Sequence, residues 1–174
     1  VIVTAAPHQS GKDEYLMILM ILALDIEVCY LSAKWTMRRI PIPFIKPKDI
    51  DNQGIPWPLG WLQEIVFRKF GAIPVDRKGN SGQYDSVVQE LFKRDSFLLI
   101  ITPEGRFDAT RFRSSFLYLA KELEAEVMPV QIDYEHDTLQ FLDSLNLNGS
   151  EDEVIQRLRY CFDGVKGRKS RFKA

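Results

Sequence analysis

The chain has 174 residues, is 45% hydrophobic and 27% charged, and carries a formal net charge of −1. These are the values of a globular chain, long enough for one domain with a real core, and they exclude a nucleic-acid-binding polycation. Cys29 and Cys161 stand apart without metal-type spacing, which points to a reducing compartment rather than a disulfide scaffold.

In chain order, Val1–Ala5 reads as a strand, Asp13–Asp25 as a helix and Glu27–Ser32 as a second strand. Pro41 to Pro58 holds five prolines and reads as irregular. Leu59–Phe70 has the spacing of an amphipathic helix closed by Gly71, and Ala72–Val75 is a short strand. Gln83–Arg94 reads as a helix. Ser96–Thr102, with Phe97, Leu98, Leu99, Ile100 and Ile101, reads as a strand buried on both faces. Arg111–Glu124 is a helix, Glu126–Ile132 a strand, Thr138–Leu142 a short strand, and Glu151–Phe162 a helix with Val154, Ile155, Leu158 and Phe162 on one face. There is no internal repeat. The alternation predicts a single α/β domain, a mostly parallel or mixed sheet flanked by helices, over residues 1–163. A basic C-terminal tail over 164–174 follows it.

The residues with chemical interest fall after strands. His8 and Asp13, in Pro7-His8-Gln9-Ser10-Gly11-Lys12-Asp13, follow the first. Imidazole is the side chain that most readily takes a proton near neutral pH, and a nearby carboxylate fixes its tautomer. The same stretch also reads as a helix capping box with Ser10 as N-cap and Asp13 in the first turn. It does not read as a phosphate-binding P-loop. Ala5, Ala6 and Pro7 stand where that motif has its first glycine, and Asp13 follows the lysine where Ser or Thr is needed. Asp76-Arg77 follows Ala72–Val75, and Pro103-Glu104-Gly105-Arg106 follows Ser96–Thr102. Parallel strands bring such loops to one sheet edge, where ligands bind in open α/β folds. The second histidine, His136, reads as a surface-loop residue, and no zinc pattern surrounds either one.

Together these residues resemble the glycerophospholipid acyltransferase family, which includes the lysophosphatidic acid acyltransferases. His8 to Asp13 is similar to its His-x4-Asp motif, with Ser10 inside it. Gly71-Ala72-Ile73-Pro74-Val75-Asp76-Arg77 is similar to the second motif, Thr102-Pro103-Glu104-Gly105 to the Pro-Glu-Gly motif, and Val127-Met128-Pro129-Val130 to the late Val-Pro-Val motif. The likeness runs from Val1 to about Tyr134. The family has Thr then Arg after Glu-Gly, whereas here Arg106 follows Gly105 directly and Phe107 comes next. The resemblance implies a glycerolipid acyltransferase-like fold and an O-acyltransferase that moves a fatty acyl group from acyl-CoA or acyl-carrier protein to a lipid hydroxyl. The acceptor it implies is 1-acylglycerol 3-phosphate or another lysolipid. His8 and Asp13 are then the catalytic pair, and Arg77, Glu104, Gly105 and Arg106 the acceptor and phosphate contacts. Neither metal nor bound cofactor is implied. The rival reading is a non-catalytic lipid-binding relative of the same fold.

A lipid acceptor implies peripheral work at the inner face of a membrane, in the cytoplasm. No signal peptide is visible, and the longest apolar run, Tyr15 to Leu24, is too short for the ~20 residues that span a bilayer. The sequence opens on Val1 rather than Met, which leaves an upstream anchor as an alternative. Two segments are candidates for lipid contact. Trp57 and Trp61 read either as core or as an aromatic membrane-facing patch. Lys166, Arg168, Lys169, Arg171 and Lys173 read first as a solvated, disordered tail, and second as a polybasic contact with anionic lipid.

Overall fold

A computed structural model describes residues 1–9, 13, 16–17, 19–20, 23, 27–34, 37–40, 55–56, 58–75, 82–105 and 111–173. In chain order its elements are β1 (Ile2–Ala6), β2 (Val28–Ala33), β3 (Arg39–Ile40), β4 (Ile55–Pro56), α1 (Gly60–Lys69), β5 (Ala72–Val75), α2 (Gly82–Phe92), β6 (Leu98–Ile101), α3 (Ser115–Glu122), β7 (Val127–Asp133), β8 (Thr138–Phe141) and α4 (Glu151–Tyr160). Asp13, Leu16, Met17, Leu19, Met20 and Ala23 are also helical. Two compact units result, one from Val1–Ile26 with Leu98–Ala174 and one from Glu27–Phe97. Both mix strands with helices, so the α/β class expected from the alternation is what forms.

In the first unit the strands lie in the order β6-β1-β7-β8. β1 runs parallel to β6, with Ile2 opposite Leu99 and Thr4 opposite Ile101, and parallel to β7, with Ile2 opposite Val127 and Ala6 opposite Gln131. Every residue of β1 is buried, as a strand paired on both sides and covered on both faces requires. β8 closes this part of the sheet antiparallel to β7, which makes it mixed, and its residues are mostly exposed. Phe116 and Leu119 of α3, Val154 and Leu158 of α4, and Phe162 pack into the core with Val3, Leu99, Val127 and Ile132. A capping box starts α4. The Ser150 hydroxyl accepts from the Glu153 N–H at 3.3 Å, and the Glu153 carboxylate accepts from the Ser150 N–H at 2.8 Å.

In the second unit β2 pairs parallel with β5, Tyr30 opposite Ala72 and Ala33 opposite Val75. Gly71 joins α1 to β5 at φ +84°, and a Cβ there would lie 1.9 Å from the Val28 carbonyl oxygen. Only glycine fits at this helix-to-strand junction. Cys29 is buried in β2, and desolvation pushes its thiol up to about 11, so it is inert as a nucleophile.

There are three local differences from the sequence reading. Within the proline-rich stretch, Ile55–Pro56 pairs antiparallel with Arg39–Ile40 instead of being irregular throughout. The helix expected from Arg111 begins only at Ser115, and the Arg113 N–H ahead of it donates to the Pro103 carbonyl at 2.8 Å. The helix expected over Leu59–Phe70 forms, but it buries Gly60 and turns Trp61, Leu62, Ile65 and Val66 outward.

Candidate active site

The parallel register of β6, β1 and β7 fixes the geometry. Each strand's C-terminal end feeds a loop at the same edge of the sheet, and each loop supplies one group. His8 follows β1, Glu104 follows β6 and Tyr134 follows β7. Asp13 is the first described residue of the helical stretch after His8. All four belong to the first unit.

Polar side chains are rarely this deeply buried without partners. Asp13 is 1% exposed, Glu104 4% and His8 8%. His8 Nδ1 lies 3.4 Å from Asp13 Oδ2, an ion-pair separation slightly longer than a tight hydrogen bond. That oxygen also accepts the Gln9 N–H at 2.7 Å, while Asp13 Oδ1 accepts the Tyr134 hydroxyl at 2.6 Å. The carboxylate is therefore gripped at both oxygens while one of them faces the imidazole. Accepting from Gln9, the Asp13 carboxylate reaches back four residues into the loop after β1. Ser10 lies outside the described residues.

Glu104 holds the other side. Its Oε2 accepts the backbone N–H of His8 at 2.8 Å, tying the loop after β6 to the loop after β1. Burial pushes the Glu104 carboxyl up from its ordinary 4.5 to about 7. The His8 N–H and the imidazole charge pull it down, and the Asp13 charge pushes it further up. The Gly105 N–H donates to the Thr102 carbonyl at 3.0 Å in a tight turn, with φ +66°. The Arg113 side chain runs along Gly105, 3.2 Å from where a Cβ would stand. Arg77 and Arg106 lie outside the described residues, as does Trp57.

Among the described residues one group of three potential metal donors occurs, Asp133, Glu135 and His136, within 4.8 Å of one another. Their atoms are already engaged. Asp133 Oδ2 meets His136 Nδ1 at 2.8 Å, Asp133 Oδ1 accepts the Glu135 N–H at 2.8 Å, and Glu135 pairs with Arg171. Asp133 raises the pKa of this exposed His136, as expected for a surface histidine beside a carboxylate.

Sequence reasoning singled out His8, Asp13, Glu104 and Gly105, which the structure brings together. It missed Tyr134 and Gln9. Gln9 lay inside the first motif, and Tyr134 two residues past the expected end of its strand at Ile132. Gln9 donates through its backbone N–H and Tyr134 lies 121 residues from Asp13 in the chain, so spacing alone gave no signal. The described residues form no helix long and apolar enough to cross a membrane. No family model matches the chain, and no curated protein matches it.

Proposed function

We propose that this protein is an O-acyltransferase, moving a fatty acyl group from acyl-CoA or acyl-carrier protein to the hydroxyl of a lysolipid such as 1-acylglycerol 3-phosphate. One observation carries the reading, namely a buried imidazole facing a carboxylate held at both oxygens, at the ligand-binding edge of a parallel sheet. The family resemblance of the four motifs supplies the reaction class. With Nδ1 turned to Asp13, Nε2 of His8 takes the proton from the acceptor hydroxyl. The oxygen then forms a bond to the thioester carbonyl carbon. As the carbon–sulfur bond breaks, the imidazolium returns its proton to the departing thiolate. Asp13 orients the ring and stabilises its cation, the role a buried Asp plays in triads. No enzyme nucleophile is needed.

Glu104 supports the histidine loop in this scheme, and Gly105 keeps the adjacent turn open to close approach. Arg77 and Arg106 are the proposed phosphate contacts, by the usual fit of guanidinium to phosphate oxygens. Lipid access is at a membrane surface. The support for that is the outward apolar stripe of α1, Trp61, Leu62, Ile65 and Val66, flanked by the exposed Arg68 and Lys69. Peripheral work at the inner face of a membrane suits this arrangement.

The test is transfer of radiolabelled acyl groups by the purified protein. Donors are acyl-CoA and acyl-carrier protein, and acceptors are a panel of lysolipids with and without a phosphomonoester. We expect labelled diacyl product with at least one phosphate-bearing acceptor. Binding of lysolipid without transfer from either donor would favour the non-catalytic alternative.

A further inference from the structure

Residues 164–173 are not a free tail. The Phe172 N–H donates to the Val165 carbonyl at 2.9 Å and the Gly164 N–H to the Phe172 carbonyl at 3.0 Å. Lys166 and Arg171 form an antiparallel bridge, and the Gly167 N–H closes a turn on the Ser170 carbonyl at 3.0 Å. The segment is thus a small hairpin. Its open end is stapled by Phe172, whose ring lies 5.2 Å from that of Phe112 and 6.2 Å from that of Phe162. The Arg159 guanidinium covers the Phe112 and Phe172 rings.

Its turn docks on the loop that carries His8. Gln9 Oε1 accepts the Lys169 N–H at 2.8 Å and the Ser170 N–H at 3.0 Å, and Gln9 Nε2 donates to the Ser170 hydroxyl at 3.0 Å. The Lys166 carbonyl accepts the Tyr134 N–H at 2.8 Å. A Cβ on Gly167 would lie 2.6 Å from Gln9 Oε1 and 2.7 Å from Pro7 Cγ, so the absence of a side chain there permits the approach. The two residues this hairpin grips, Gln9 and Tyr134, both donate to the Asp13 carboxylate.

We infer that hairpin 164–173 is a positioning element for Asp13, acting through Gln9 and Tyr134. Its contacts with the Gln9 loop are made by backbone groups, the Ser170 hydroxyl and the Gln9 amide, while Arg171 braces it by donating to the Gly164 carbonyl at 3.0 Å and pairing with Glu135 beside Tyr134. The consequence for turnover rests on the acyltransferase reading, whereas the consequence for the Gln9–Asp13 hydrogen bond does not.

The experiment is amide hydrogen exchange by NMR on the full chain, with steady-state kinetics beside it. Gly167→Ala pushes the turn away from Pro7, and Gln9→Ala removes its docking partner while keeping the Gln9 N–H. In both, the Lys169 and Ser170 amides lose protection and report that the turn has left. The Gln9 amide is then expected to exchange about tenfold faster or more while the amides of Ile2–Ala6 keep their protection. Turnover falls through kcat with KM little changed. A double variant, Lys169→Ala with Lys173→Ala, is expected to leave both exchange and kcat as they are. If the turn leaves and the Gln9 amide stays protected, the inference is overturned. It is also overturned if Gln9→Ala leaves Lys169 and Ser170 protected, or if the double variant reproduces the loss. A wild-type protein without transferase activity, with the exchange pattern as expected, would remove the functional reading alone.

Discussion

Glu104 is the residue whose chemistry the fold alters most. A buried carboxyl that accepts a backbone N–H can do so ionised or protonated, but burial favours the protonated form. Its pKa in the fold is about 7 against an ordinary 4.5, so the folded chain holds a proton that the unfolded chain releases across that interval. The stabilising term is complete below pH 4.5 and disappears as pH rises through about 7. Glu104→Gln keeps an acceptor for the His8 N–H and cannot titrate. Urea unfolding of this variant between pH 4.5 and 7.5 is expected to show a flatter pH dependence than wild type, with the variant gaining relative stability at the upper end. An unchanged slope would show that Glu104 titrates normally. His8, Asp13 and Glu104 were legible in the sequence because each follows a strand and has a side chain suited to proton transfer. Tyr134 and Gln9 were not. Tyr134 becomes a donor to Asp13 only once β1 and β7 lie side by side in their parallel register, a tertiary fact that no local spacing encodes, and Gln9 donates through its backbone N–H, which its residue type does not signal.

At the level of elements, most strands and helices could be read from apolar periodicity to within a few residues, β5 without any shift. Orientation was harder. The spacing Trp61, Leu62, Ile65 and Val66 signals an amphipathic helix but does not say which face is covered, and in α1 Gly60 is the buried residue while the apolar side faces out. Trp61 is 57% exposed, a large apolar area for an unoccupied surface. If this face meets lipid, binding to anionic vesicles should persist at high salt and fall when Trp61→Ala and Ile65→Ala are combined, because insertion is not screened within a Debye length of ~8 Å. Sedimentation with vesicles at low and high salt separates this from contact through Arg168 and Lys169, which salt abolishes. Vesicle binding that the α1 variant leaves untouched would rule this face out. The C-terminal segment shows the opposite failure of local reading. Its run of basic residues suggested solvation, while Phe172 and Gly167, each unremarkable in the string, are what let it fold back.

Over the whole molecule, the described groups proposed for proton transfer belong to one of the two compact units, the one formed by residues 1–26 and 98–174. The phosphate roles of Arg77 and Arg106 stand on the resemblance. The central claim is that His8 is a general base whose loss leaves the fold formed, since its buried side chain lies in the loop after β1 and Asp13 keeps its hydrogen bonds from Gln9 and Tyr134 without it. The most direct measurement is the turnover of His8→Ala with acyl-CoA and the best lysolipid acceptor, alongside its thermal unfolding. The account predicts an unfolding temperature close to wild type and a kcat lower by ~10²-fold or more, the scale of lost general-base catalysis. A folded His8→Ala protein that keeps more than about a tenth of wild-type turnover would contradict it.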